Sequence, residues 1–277
     1  MSPGSSTNPA EAVADGREPM VIVIASGKGG VGKSVLAVLL ANRLARDGCR
    51  VLLLDGAQNL GHLHVLLGVA GDHRLEQVQR GEVEPADLLV PIREGLVLLP
   101  GDSGSEGLYA LPNLDQARLH HRLSALYRGF DLVVVDAGPG VEGAIRLATM
   151  GGTRLVVVTA AEIGALTDGY ALIKLVHAQL PSIPIDVVVN RVEVPGEGEQ
   201  AFERLAVAAE RFLGKSLGWL GELPEVPALR DAVRRPGAIL DDHELAALGT
   251  HLDRLAEQLT QPYGGAGPTT PVQGLSR

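Results

Sequence analysis

Gly27-Lys28-Gly29-Gly30-Val31-Gly32-Lys33-Ser34 is the stretch on which the reading of this chain turns. Before it stands Val21-Ile22-Val23-Ile24, apolar and β-branched, the composition of a buried strand. After it Val35, Leu36, Leu39, Leu40 and Leu44 recur at helical spacing, and Gly48 supplies a stop. A glycine-rich turn between strand and helix gathers backbone N–H groups around an anion and aims a helix N-terminus at it. The stretch also fits G-x-x-x-x-G-K-[ST], in which the lysine reaches the β/γ-phosphates and the hydroxyl meets Mg²⁺. An ordinary glycine turn is the plainer alternative, and the two flanks argue against it. The stretch reads as a nucleotide site.

The remaining composition is consistent with one large α/β domain. The 277 residues are 45% hydrophobic but only 3% aromatic, so Leu, Val, Ile and Ala must fill the core. A net charge of −9 argues against a chain held on DNA or anionic lipid by its overall field. The single cysteine, Cys49, excludes an intrachain disulfide and a multi-cysteine metal site, which fits a reducing compartment such as the cytoplasm. Residues 1–19 are rich in Ser, Pro, Gly, Ala and acids, and residues 262–277 in Gly, Pro and Thr. Both are expected to be disordered, leaving residues 20–261 as the folded domain. Residues 1–19 lack the apolar core of a secretory signal, and no stretch reaches the ~20 apolar residues that span a bilayer.

Short apolar runs recur along the folded part: Val51 to Leu54, Leu96 to Leu99, Leu132 to Val135, Leu155 to Val158, and Ile185 to Val189. Trp219-Leu220 is a candidate last strand. Helical spacing lies between them, at residues 60–67, 75–80, 114–127, 171–180 and 198–213. Strands apolar on both faces, alternating with helices, predict a P-loop NTPase-like α/β fold: a mostly parallel sheet with helices on both faces. Ligands in that architecture sit at the carboxyl ends of the strands. Polar residues at such ends are Asp55, Asp136, Glu162 and Asn190.

Asp136 ends a strand of four apolar residues and precedes Ala137-Gly138-Pro139-Gly140. A carboxylate there can hold Mg²⁺ opposite the Ser34 hydroxyl; capping the next helix is the simpler role. Asp55 is placed alike and can serve the metal or an attacking water. Lys28 is a second lysine in the same loop, and the two cannot easily reach the same phosphates. One solution points Lys28 across a dimer interface at a partner's nucleotide. His62 and His64 diverge on a helix, as do His120 and His121, and are expected to be ordinary surface or half-buried histidines. Arg230, Arg234 and Arg235 read as a solvated helix end, with contact to an acidic partner as the alternative.

Together these residues resemble the deviant Walker A ATPases of the MinD/ParA group over residues 21–240. Gly27 to Ser34 matches that group's K-G-G-x-G-K-[ST] signature, with Lys28 as the extra lysine. Thr167-Asp168-Gly169-Tyr170-Ala171-Leu172-Ile173-Lys174 is similar to a stretch of the flagellar-number regulators, the FlhG/FleN branch. Residues 202–213 and 228–233 point the same way. The resemblance implies a homodimer formed on ATP, each Lys28 reaching the neighbour's site. Gly27, Gly29, Gly30, Val31, Gly32, Lys33 and Ser34 are then the phosphate loop, Ser34, Asp55 and Asp136 the Mg²⁺ shell, and Asn190 the adenine contact. Lys28, Asp55 and Asp136 become the catalytic candidates. The implied partner is a flagellar regulatory protein, a signal-recognition-like GTPase or a transcriptional activator, which recruits the chain to the membrane or pole.

Three features depart from the group's pattern. Switch I here reads Asp55-Gly56-Ala57-Gln58-Asn59-Leu60-Gly61-His62-Leu63-His64, with Ala57 where the group carries a second aspartate. A methyl group neither orients nor deprotonates water, so hydrolysis is expected to be slow or lost. The C-terminal stretch has neither the apolar stripe nor the basic run of a membrane-anchoring helix. The branch's N-terminal D-Q-A-x-x-L-R motif is missing from residues 1–20, and the partial likeness at residues 115–119 is coincidental. A nonhydrolysing ATP-bound scaffold, or a cell-division or DNA-partition positioning ATPase, are the alternative readings.

Overall fold

Period-two alternation along the strands carries the architecture. In β1 (Met20–Ala25) Ile22 and Ile24 enter one apolar core, while Val21, Val23 and Ala25 enter another on the opposite face. Strands β2 (Val51–Asp55) and β5 (Leu132–Asp136) divide their side chains the same way. A computed structural model of the chain describes residues 18–57, 61–101, 122–123, 125–138, 143–145, 154–240 and 246–261.

The other strands are β3 (Val90–Arg93), β4 (Leu96–Leu99), β6 (Arg154–Thr159), β7 (Ile185–Val192) and β8 (Gly218–Pro224). They form one 8-stranded sheet in the order β3-β4-β2-β5-β1-β6-β7-β8, parallel except for the β3–β4 pair. The expected mostly parallel P-loop sheet is therefore present. Each apolar run read as a strand is one, and Trp219-Leu220 lies in β8. Strand β3 was invisible in the sequence. Its Pro91 cannot donate to a ladder, which suits only an edge position.

Helices α1 (Lys33–Arg46) and α7 (Gly249–Thr260) cover one face of the sheet, with the short α2 (Leu63–Leu67) beside them. On the other face lie α3 (Leu75–Gln79), α4 (Ile163–Gln179) and α5 (Glu197–Leu213); α6 (Pro227–Ala232) follows β8. The helix read over residues 114–127 falls mostly outside the described residues, and 122–123 and 125–127 are helical. Residues 1–17 and 262–277 also fall outside them, as do 58–60, 120–121 and 139–140. No described helix is long and apolar enough to cross a membrane.

A buried arginine fastens the sheet to α7. Arg154, opening β6, donates from Nε to Asp186 Oδ2 at 2.5 Å and from Nη1 to the carbonyls of Gln258 and Leu259. Those carbonyls belong to the last turn of α7, where no later helical N–H reaches them.

The TDGYALIK stretch also has a structural use. It lies in α4, and a Cβ built on Gly27 would stand 2.0 Å from the Asp168 carbonyl oxygen. Only glycine allows the loop after β1 to approach α4 so closely. Gly27→Ala is expected to cost roughly 1–3 kcal/mol through overpacking, read as a lower urea midpoint at unchanged slope. An unchanged midpoint would mean that this contact is not held in solution.

Candidate functional site

Because the central strands are parallel, their carboxyl ends open on one side of the sheet. Ser26, Asp55, Asp136, Thr159 and Asn190 all stand there, and β2 and β5 set Asp55 level with Asp136. The loop after β1 rises from this edge. Gly30 (φ 80°) and Gly32 (φ 91°) take the left-handed conformation that glycine adopts without steric cost. Gly32 then opens α1 with no capping side chain and no acidic residue in the first turn. The first N–H groups of a 14-residue helix are thus left for an outside anion.

Lys33 is buried and its Nζ donates to Asp136 Oδ1 and, at 3.3 Å, to Ser34 Oγ. Asp136 is fully buried, and its second oxygen, Oδ2, has no hydrogen-bond partner among the described residues. A buried carboxylate oxygen without a donor is costly, and such an atom normally finds a ligand. With the neighbouring Ser34 hydroxyl it forms a hard-oxygen pair that suits a small divalent cation. These residues fit Mg²⁺ held against a phosphate chain.

Asp55 is used differently. Its Oδ1 accepts the Ala57 N–H at 3.2 Å and its Oδ2 the Leu63 N–H at 2.9 Å. Both oxygens therefore pin the two ends of the loop across residues 57–63. Burial pushes the Asp55 carboxyl above its ordinary value of 3.8, outweighing the two N–H donors that pull it down. An acid whose folded pKa is raised holds its proton more tightly when folded. Its stabilising contribution is complete below 3.8 and is lost as pH climbs through the raised folded value. Asp55→Asn is expected to flatten that decline, seen by comparing urea midpoints of the two proteins from acid to neutral pH. Parallel pH curves would contradict it.

Ala57 is buried against the loop after β5. A Cβ on Gly138, itself at φ 65°, would stand 2.8 Å from Ala57 Cα, and the Gly56 N–H bonds the Asp136 carbonyl. The two strand-end loops are therefore in backbone contact beside Asp136. Position 57 sits at that junction.

Lys28 points away from Lys33, toward α4. Its Nζ donates to Glu162 Oε2 at 3.1 Å, and both side chains are exposed. Asn190 reaches the glycine-rich loop itself, its Nδ2 donating to the Val31 carbonyl at 2.8 Å. A Cβ on Gly32 would lie 2.3 Å from that nitrogen, so Gly32 serves both the turn and this contact. Strand-end position had singled out Glu162 and Asn190, but the Lys28–Glu162 pairing and the Asn190–Val31 bond span 134 and 159 residues and left no mark in local spacing.

Strand, glycine-rich loop, buried lysine and strand-end aspartate define a P-loop nucleotide-binding protein. Within that class the chain belongs to the CobQ/CobB/MinD/ParA nucleotide binding domain family, whose model matches residues 22–236. It is 32% identical over 221 residues to the antiactivator FleN of Pseudomonas aeruginosa, covering 80% of this chain and 79% of that protein. To the flagellum site-determining protein YlxH of Helicobacter pylori it is 29% identical over 255 residues, 92% of this chain and 86% of the other. The crystal structure of the Pyrococcus furiosus cell division ATPase MinD matches with a TM-score of 0.69 at 26% identity, covering 87% of this chain and 98% of that one. The chain is thus a MinD/ParA-type ATPase domain with close similarity to flagellar regulators.

Proposed function

We propose that this chain is an ATP-operated switch that pairs with a second copy when ATP is bound and sets flagellar number, flagellar placement or flagellar gene expression through a protein partner. The observation that carries the reading is the buried Lys33–Asp136 pair beneath an uncapped glycine loop, in a chain similar along most of its length to FleN and YlxH. Backbone N–H groups of Gly27 to Gly32 and the Lys33 ammonium hold the phosphates of ATP. The Ser34 hydroxyl and Asp136 carboxylate hold Mg²⁺, which when bound offsets charge on the terminal phosphates. Asn190 stands where the loop meets the base. Asp55 positions the loop across residue 57, and its carboxylate is level with Asp136 for a share of the metal's water shell.

Hydrolysis is slow or absent in this reading, because Ala57 brings no group able to orient water to the junction of the two loops. ATP binding, rather than turnover, then sets how long the paired state lasts. The chain works in the cytoplasm and reaches the membrane or pole through its partner, a signal-recognition-like GTPase or a transcriptional activator.

Lys28 carries the pairing. It leaves Glu162 of its own chain and reaches the phosphates bound by the partner copy, adding positive charge where negative charge gathers. Light scattering with Mg²⁺-ATP tests this directly. Wild type is expected to move from one copy to two on adding ATP, and Lys28→Ala to remain single while still binding nucleotide. A wild type that stays single with ATP bound overturns the pairing.

A further inference from the structure

Asn42 is out of keeping with a helix that has only to pack. The run Val35 to Ala41 in α1 is apolar, and Asn42 follows it at 3% exposed, as deep as the leucines around it. Asparagine favours a helix less than leucine or alanine does, and a buried amide needs partners at both ends. One end has its partner: Oδ1 accepts from Arg93 Nη1 at 2.8 Å. That bond fixes which way the amide faces, because only its oxygen can accept from a guanidinium. Nδ2, at the other end, has no hydrogen-bond partner among the described residues. A buried donor left so is costly, and such an atom normally finds a ligand.

Asn42 lines a cavity of about 440 Å³ between α1 and the start of α7, with Leu39 and Leu252 as apolar wall. The charged residues on it are Arg43, Arg46 and Asp253. Arg43 donates from Nε to Asp253 Oδ1 and from Nη1 to Asp47 Oδ1, so two aspartates hold its guanidinium in place. Its Nη2 has no partner among the described residues. Asp253 is half-exposed and meets Arg43, and Arg46 has a contact of its own. Asp241, Asp242 and Glu244, which precede the cavity's Ala246 in sequence, lie outside the described residues.

We infer that this cavity binds a small organic carboxylate, its oxygens held by Asn42 Nδ2 and Arg43 Nη2 and its apolar body by Leu39 and Leu252. Both of those nitrogens are donors, which calls for an acceptor, and the guanidinium suits an anionic one. A carboxylate brings two oxygens, one for each donor, and a single charge. Arg43 already answers to two aspartates, which disfavours a polyanion such as a phosphate chain. Arg93 on one side and the aspartates on the other hold the donors before any ligand arrives, so little freedom is lost on binding. Asn42 stands nine residues along α1 from Lys33, roughly 14 Å, so the site is separate from the glycine loop and independent of what that loop binds.

NMR titration of the full chain with octanoate, and with octanamide as the uncharged control, tests the site. Octanoate is expected to move the Asn42 side-chain amide and the Gly249 backbone N–H on one saturating curve, with a Kd of about 1 mM for a ligand of this size. Octanamide is expected to bind roughly tenfold more weakly. Asn42→Ala, followed at Gly249, is expected to lose roughly tenfold for octanoate with little change in the urea midpoint, since alanine removes an unpaired donor and favours the helix. Gly249 supplies the second variant: it lines the cavity, and a Cβ built on it meets nothing within 4 Å. Gly249→Gln therefore places a side chain at the opening without strain. It is expected to raise the urea midpoint and weaken octanoate roughly tenfold, a combination that damage to the fold cannot produce. Should Asn42→Ala unfold more easily, Gly249→Gln decides. No saturating shift at Asn42, shifts confined to residues 27–34, octanamide binding as tightly as octanoate, or wild-type affinity in Gly249→Gln or a stable Asn42→Ala overturns the inference.

Discussion

Lys33→Ala is expected to destabilise the folded chain by about 3–5 kcal/mol, far more than removal of a surface lysine. The cause lies in what is left behind. Asp136 is fully buried, its Oδ1 accepts from Lys33, and its Oδ2 already lacks a donor. Without the ammonium the carboxylate is a buried, uncompensated charge, the costly way of breaking such a pair. Lys33→Met combined with Asp136→Asn removes both charges and is expected to recover most of the loss. Urea unfolding of Lys33→Met, Asp136→Asn and the double variant measures the coupling between the sites. Simple additivity of the two single losses would contradict a direct pair.

Under the proposed function, nucleotide binding undoes that same pair. The ammonium on Asp136 would turn to phosphate and the carboxylate it leaves would turn to Mg²⁺, so that phosphate chain and cation replace two halves of one interaction.

Ala57→Asp carries the second large effect. In single-turnover assays wild type is expected to hydrolyse ATP slowly or not at all, and the aspartate variant to gain roughly 10²–10⁴-fold, the range of a positioned general base. The position suits the gain, since residue 57 lies against Gly138 beside Asp136. Ala57→Asn is the control, similar in size but unable to take a proton, and is expected to gain little. Wild type turning over as fast as Ala57→Asp, or asparagine matching aspartate, would contradict the role given to this methyl group.

Much of the fold was legible because the central strands are apolar on both faces, and β2 and β5 each end in one aspartate. Asp55 and Asp136 could be placed at strand ends from that pattern alone, and the loop after β1 from its glycines. Pro91 hid β3, since proline argues against a strand everywhere except an edge. The site was harder to read for a different reason. Asp55 has the position of a metal ligand, yet its two oxygens are taken by the N–H groups of Ala57 and Leu63. Whether a strand-end carboxylate faces a ligand or its own loop depends on where the chain turns next, which residue identity does not encode. The ion pairs of Glu225 with Arg191 and Arg230 needed both the left-handed backbone at Arg191 and the return of the chain after β8.

Calorimetry of the purified chain with Mg²⁺-ATP is the most direct measurement of the nucleotide site. One saturable binding event per chain, lost or weakened at least about a hundredfold in Lys33→Ala where a charge-assisted phosphate contact is removed, is the expected result. No heat with ATP or a slowly hydrolysed analogue, or equal binding by wild type and Lys33→Ala, would contradict it.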